Sequence, residues 1–151
     1  MVSGRITNCP LHPALVHFPI GAWTLALIGD GVYLFNREPL WWQLAYWAIA
    51  AGVATGLPAM AAGLFEITAI EDKHPAWPMA TRHTTMMSGA WLVFTIDLLL
   101  RDPVAPGQVV ALWLPVILSI LGMILMVTGG HAGARLVYRY GVGVNGNSEQ
   151  K

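Results

Sequence analysis

The sequence predicts an all-α integral membrane protein, a four-helix bundle built from two antiparallel helical hairpins. Of its 151 residues, 56% are hydrophobic and only 11% are charged, whereas soluble domains average about 25% charged residues. Four apolar runs are each long enough to cross a bilayer, which takes about 20 helical residues. The first and third links between these runs are short and turn-like, so each link is expected to join two antiparallel helices.

The expected helices lie near residues 13–35, 41–65, 79–100 and 108–130 of one transmembrane domain covering residues 1–151. A flexible tail is expected at 141–151. The fourth run is the cleanest, because Val109–Thr128 contains no charged residue. Tryptophan and tyrosine residues fall near the expected helix ends, as is typical of the two membrane surfaces.

Composition and motifs narrow the range of functions. Eight cationic and eight anionic side chains give zero net charge, so no nucleic-acid partner is expected. The chain has no Walker loop and no GxSxG, CxxC or HExxH motif. Self-contained hydrolytic or nucleotide chemistry therefore has no support.

A weak internal repeat relates the two predicted hairpins. His17 precedes Asp30 by thirteen residues in the first helix, and His83 precedes Asp97 by fourteen in the third. The tripeptide HPA also occurs twice, beginning at His12 and at His74. A duplicated hairpin would explain these pairings, and so would chance.

All five histidines are expected on one side of the membrane, at the ends of helices. His17 and His83 lie at matching depth, about 6–8 Å inside the first and third helices, which are diagonal in an up-down bundle. Two such imidazoles can ligate a haem iron from opposite faces. The alternative interpretation is that these histidines are interfacial hydrogen-bonding residues.

On the first interpretation, the axial ligands of a haem b are His17 and His83. On the same interpretation, His12 and His131 are reserve ligands or hold a second site. Haem propionates would pair with Arg82 and Arg135, although arginine is also common at membrane interfaces for other reasons.

Two carboxylates lie on the other side of the membrane. Asp30 and Asp97 are each within about five residues of a predicted helix end. Carboxylates inside a membrane are costly and suggest function. At these positions, however, they are expected to reach water or the neighbouring Arg37 and Arg101.

Three segments resemble a bacterial membrane family known as domain of unknown function 2231. They are LHPALVHFPIG at the start, RHTTM at the third helix, and GGHAGARLVYRYGVGV near the end. Members of this family occur alone or fused to redox modules such as c-type cytochrome, Rieske or quinoprotein dehydrogenase domains. The resemblance therefore implies electron transfer at the membrane. The positions carried over are His12, His17, His83, Gly129, Gly130, Tyr138 and Gly141.

The leading hypothesis is a b-type cytochrome-like subunit of the bacterial inner membrane, exchanging electrons with quinone or a redox partner rather than acting as a self-contained enzyme. The alternatives are a cofactor-free accessory subunit of a larger complex and a small metal or proton transporter. The expected partners are the lipid bilayer and other membrane or redox subunits. Positively charged residues are more numerous on the histidine side, which favours both termini in the cytoplasm.

Overall fold

The computed structural model describes residues 11–143 except positions 69, 72 and 107–111. Two helices, α1 (Leu11–Leu15) and α2 (His17–Asn36), are separated by the single residue Val16 and together form the first helix of the bundle. The described part of the chain contains no β-strand, which confirms the all-α prediction. The other three helices are α3 (Pro39–Ile67), α4 (Trp77–Leu100) and α5 (Trp113–Tyr140).

Four long helices form two antiparallel hairpins, as the sequence predicts. Helix α2 packs along α3 and α4 packs along α5, while the contacts of α3 with α4 and of α2 with α5 join the hairpins. Helices α2 and α4 are therefore diagonal. The short link after α2 ends that helix through Arg37, which has a left-handed φ of 59° and donates its main-chain N–H to the carbonyl of Tyr33.

The last helix extends well beyond its expected end at residue 130. It continues to Tyr140 and ends at Gly141, whose φ of 66° is the left-handed conformation that glycine adopts most easily. Ala132 and Leu136 are buried in this extension, so packing holds a glycine-rich stretch in a helix against its local preference. The expected start of this helix at 108–111 and the tail beyond residue 143 lie outside the described residues.

A pair of stacked aromatic rings joins the hairpins at the centre of the bundle. The rings of Trp23 and Phe94 lie 4.5 Å apart between centres and are nearly parallel, at 11°. Trp23 rests against Gly52 of α3, and Phe94 rests against Gly122 of α5. A side chain at either glycine would collide with the ring, so both glycines permit close helix packing.

The outer surface of the bundle is apolar, as expected of a protein surrounded by lipid. Among the described helices, three segments are long and apolar enough to cross a membrane: Leu11–Asn36, Pro39–Ile67 and Trp113–Tyr140. Large apolar side chains such as Phe18 and Ile124 are more than half exposed. Helix α4 carries more polar residues, and it turns its carboxylate Asp97 into the bundle.

Candidate functional site

Two histidines meet where the two hairpins come together at one end of the bundle. The imidazole rings of His12 in α1 and His83 in α4 lie 6.0 Å apart between centres and are almost perpendicular, at 86°. Both side chains are half-buried. The structure therefore pairs two histidines across the bundle, as the sequence suggested, but with His12 in place of His17.

A main-chain carbonyl holds each imidazole. Nδ1 of His12 donates to the carbonyl oxygen of Ala59 at 2.8 Å, and Nδ1 of His83 donates to that of Gly129 at 2.8 Å. Because a carbonyl oxygen only accepts hydrogen bonds, Nδ1 must carry the hydrogen in both rings. The lone pair of each neutral imidazole is then on Nε2, which is the form that ligates a metal.

Glycines on the neighbouring helices make room for both rings. A Cβ atom at Gly63 of α3 would lie 2.8 Å from Nδ1 of His12, and one at Gly133 of α5 would lie 2.9 Å from Nδ1 of His83. With alanine in place of Gly63 or Gly133, the adjacent imidazole ring could not keep its position. The main-chain N–H of His12 also donates to the carboxylate of Glu66 at 3.1 Å, which satisfies a free donor at the start of α1.

The other expected site residues are not members of this pair. His17 is exposed on the outer surface, because five helical positions rotate a side chain by about 140° from His12. His131 and Arg82 are also exposed, and Arg135 is half-buried. The expected meeting of His17 with His83 is therefore replaced by the meeting of His12 with His83.

The histidine pair does not form a conventional metal-ion site. Over residues 11–143, leaving out 69, 72 and 107–111, no group of three or more His, Cys, Asp or Glu side chains could hold a metal ion. Protein sites for bare zinc supply three or four ligands. Two imidazoles suit a metal whose remaining ligands come from another molecule.

A small cavity adjoins His12 inside the bundle. Its volume is about 30 Å³, and its walls include Trp23, Met60, Met87 and Trp91. A cavity of this size has room for about one water molecule. Nε1 of Trp91 donates to the carbonyl oxygen of Val53 at 3.0 Å, which anchors one wall to α3.

At the opposite end of the bundle, the two carboxylates are buried rather than in contact with water. Asp30 and Asp97 are both 0% exposed, so the expectation that they reach water or Arg37 was wrong. The guanidinium of Arg101 donates to Asp30 Oδ1 at 2.6 Å through NH1 and to Asp97 Oδ1 at 2.8 Å through Nε. They are buried because all four long helices and the link after α4 pack around these groups.

The sequence did not predict two further members of this buried cluster. Ser119 of α5 contacts both carboxylates, at 2.8 Å for Asp30 and 2.9 Å for Asp97. The guanidinium of Arg101 lies 4.6 Å from the ring centre of Trp42 in α3. A serine within the charge-free run Val109–Thr128 was the available signal for Ser119, whereas no sequence pattern marks Trp42 as a partner of Arg101.

Comparison with known families shows which family the chain belongs to. The profile of a family described as "Predicted membrane protein (DUF2231)" matches residues 8–146. The chain belongs to this family. Membership confirms the resemblance carried by the end motifs of this DUF2231 protein and agrees with its apolar four-helix bundle. Searches among curated proteins and among solved structures found no significant match.

Proposed function

We propose that this membrane protein is a b-type cytochrome-like electron-transfer subunit whose haem iron is ligated by His12 and His83. The observation that carries the proposal is the pair of imidazoles whose Nδ1 atoms are both bonded to main-chain carbonyls at 2.8 Å. A hydrogen bond at Nδ1 fixes the tautomer and orientation of a ligating histidine and raises its basicity.

The two imidazoles offer nitrogen donors close to one another. Their ring centres lie 6.0 Å apart, and the neutral tautomer held in each ring leaves the lone pair of Nε2 available to a metal. The protein provides two nitrogens in this region, and a haem macrocycle provides the other four. The proposal moves one ligand of the sequence-based pair from His17 to His12.

A haem needs more space than the cavity beside His12 provides. The cavity of about 30 Å³ beside His12 is much smaller than a macrocycle. Two of its walls are the side chains of Met60 and Met87, which are unbranched and adapt readily to a new shape. Haem binding therefore requires these two side chains to turn away from the cavity and the helices around the histidine pair to move apart.

When bound, haem supplies the redox centre, and the chain supplies its surroundings. Ala59 and Gly129 orient the ligating rings through their carbonyls, and Trp23 and Trp91 limit the access of water. Arg82 and Arg135, at the same end of the bundle, provide cations for the propionates. Quinone or another redox subunit of the membrane is the proposed electron partner, as the resemblance to redox-fused relatives implies.

We also propose that the protein lies in the bacterial inner membrane with the histidine end facing the cytoplasm. Among the described residues, the cations at that end are Lys73, Arg82, Arg135 and Arg139, whereas Arg37 lies at the other end. Arg101 does not count as a loop charge, because it is buried between two carboxylates. The excess follows the rule that cytoplasmic segments carry more lysine and arginine.

The absorption spectrum of the purified protein tests the haem proposal directly. Expression with ample haem should give a Soret band and, by pyridine haemochrome, one haem b per chain. Two imidazole ligands should make the iron low-spin and six-coordinate. A chain that stays colourless after expression and after titration with haemin would overturn the proposal. The histidine pair would then be a ring contact between the hairpins, with each ring hydrogen-bonded within its own hairpin.

A further inference from the structure

The buried cluster at the other end of the bundle has more negative than positive charge. It contains two carboxylates, Asp30 and Asp97, and one guanidinium, Arg101, and these side chains are 0% exposed. If both carboxylates were ionised, the cluster would carry one uncompensated negative charge. An unpaired charge away from water is among the most costly arrangements in a protein, and more so in a membrane.

The hydrogen bonds of Ser119 give a second and independent count. Its Oγ lies 2.8 Å from Oδ2 of Asp30 and 2.9 Å from Oδ2 of Asp97. A serine hydroxyl has one hydrogen, so it can donate to only one of these two oxygens. A hydrogen on the other carboxyl, donated to Oγ, would complete the second contact.

Arg101 cannot supply the missing hydrogen between these oxygens. Its NH2 has two hydrogens and three neighbouring acceptors: Asp30 Oδ2 at 2.6 Å, Asp97 Oδ2 at 3.1 Å and Ser119 Oγ at 3.0 Å. The guanidinium is therefore already short of hydrogens for the contacts that it makes. One more proton would balance the charge of the cluster and would supply a hydrogen for one of these contacts.

We infer that Asp30, Asp97, Arg101 and Ser119 form a buried proton-binding site that holds one proton at neutral pH. The proton is shared between the two carboxyls through the hydroxyl of Ser119. With it, the cluster is electrically neutral, comprising one guanidinium, one carboxylate and one carboxylic acid. The inference is independent of the proposed haem, which would lie at the opposite end of the bundle.

Among the described residues, the groups around the site offer no other charge to balance the second carboxylate. Helix α2 contributes Asp30, α4 contributes Asp97, and α5 contributes Ser119. From α3, the aromatic ring of Trp42 lies over the guanidinium. Arg37 is exposed and lies over the ring of Tyr33, so within the described part of the chain Arg101 is the cation in contact with the two carboxylates.

Infrared spectroscopy of the purified protein at neutral pH tests the inference. A protonated carboxyl gives a carbonyl-stretch band that an ionised carboxylate lacks. The wild-type chain should show this band, and an isotope label in the aspartate side-chain carboxyl should shift it. A wild-type spectrum with no such aspartate band would overturn the inference without any mutation, and it would leave the haem proposal unaffected.

Variants locate the proton. Asp30→Asn and Asp97→Asn should each abolish the band, because one carboxylate and Arg101 already form a neutral pair. Ser119→Ala should shift the band but retain it, because the charge balance still needs the proton after its hydrogen-bond partner is lost. Glu38→Gln, an exposed carboxyl near the same end, is the matched control and should change nothing. Persistence of an unshifted band in both Asn variants would assign the proton elsewhere and contradict the inference.

Discussion

His12 and His83 are related in the same way as Asp30 and Arg101: each pair joins the two hairpins, and 71 residues separate its members. The central stack of Trp23 on Phe94 has the same spacing. His12 bonds to a carbonyl 47 residues further along the chain, and His83 to one 46 residues further. The two halves are thus arranged alike, which favours a duplicated hairpin, but one in which His83 corresponds to His12 rather than to His17. Both candidate sites lie between the halves.

The first prediction concerns the choice of histidines. His12→Ala and His83→Ala should each convert a low-spin haem to a five-coordinate or water-ligated form that binds carbon monoxide, because each removes one axial nitrogen. His17→Ala is the control, since its exposed side chain lies away from the pair, and its spectrum should match the wild type. A change on losing His17 with no change on losing His12 would restore the pair that the sequence suggested.

The second prediction concerns the glycine that receives the ring of His12. Gly63→Ala places a Cβ 2.8 Å from that ring, and overpacking of this kind costs about 1–3 kcal/mol. Gly130→Ala makes the same change where the added Cβ would meet open space. It should be neutral or stabilising, because alanine is favoured over glycine in a helix by about 1 kcal/mol. Thermal unfolding in detergent compares the two, and equal midpoints would show that the ring does not depend on Gly63.

The third prediction concerns the aromatic stack. Phe94→Ala should lower the free energy of unfolding by about 3 kcal/mol, the lower end of the range for such truncations, because helices in lipid gain mainly from packing. Phe35→Ala removes the same ring where it is 92% exposed, and it should have little effect. Unfolding titrated with a denaturing detergent measures both. Similar losses in the two variants would mean that the stack does not join the hairpins.

The fourth prediction concerns the link after α4. The main-chain N–H groups of Val104 and Ala105 donate to the carboxylate of Asp102 and lower its pKa. Because this pKa is lowered, the ionised carboxylate stabilises the folded state at pH values above the ordinary pKa of aspartate. This stabilisation is lost as the pH falls through the pKa that Asp102 has in the folded protein. The Tm of the wild type should therefore exceed that of Asp102→Asn at neutral pH, and the difference should shrink in acid. A difference that does not vary with pH would contradict this role.

The fifth prediction concerns orientation. In a Cys9→Ser background, a cysteine placed by Asn36→Cys should react with a membrane-impermeant thiol reagent on intact cells, because the proposed topology puts the link after α2 outside the cytoplasm. A cysteine placed by Asn147→Cys should react only after the cells are opened. The opposite labelling pattern would show that the protein has the reverse orientation in the membrane, and it would not affect the fold or either candidate site.

The sequence by itself determined the fold class, the hairpin pairing and the end of the bundle that carries the histidines. Runs of apolar residues long enough to cross a bilayer must form helices there, because their main-chain groups have no water to bond. Short links then force neighbouring helices to be antiparallel. These properties depend on composition and length, which can be read along the chain.

Only the tertiary structure decided which polar residues meet. The expected partner of His83 was chosen by its depth along a helix, whereas contact also depends on the direction in which each side chain points. His17 matches the depth of His83 but points outward, while His12 points inward onto Gly63. The local pair of Asp97 and Arg101 could be expected from the sequence, because four residues separate them. Asp30 is buried because Arg101 and Ser119 reach it from distant parts of the chain. No local pattern of residues shows that such distant partners will meet.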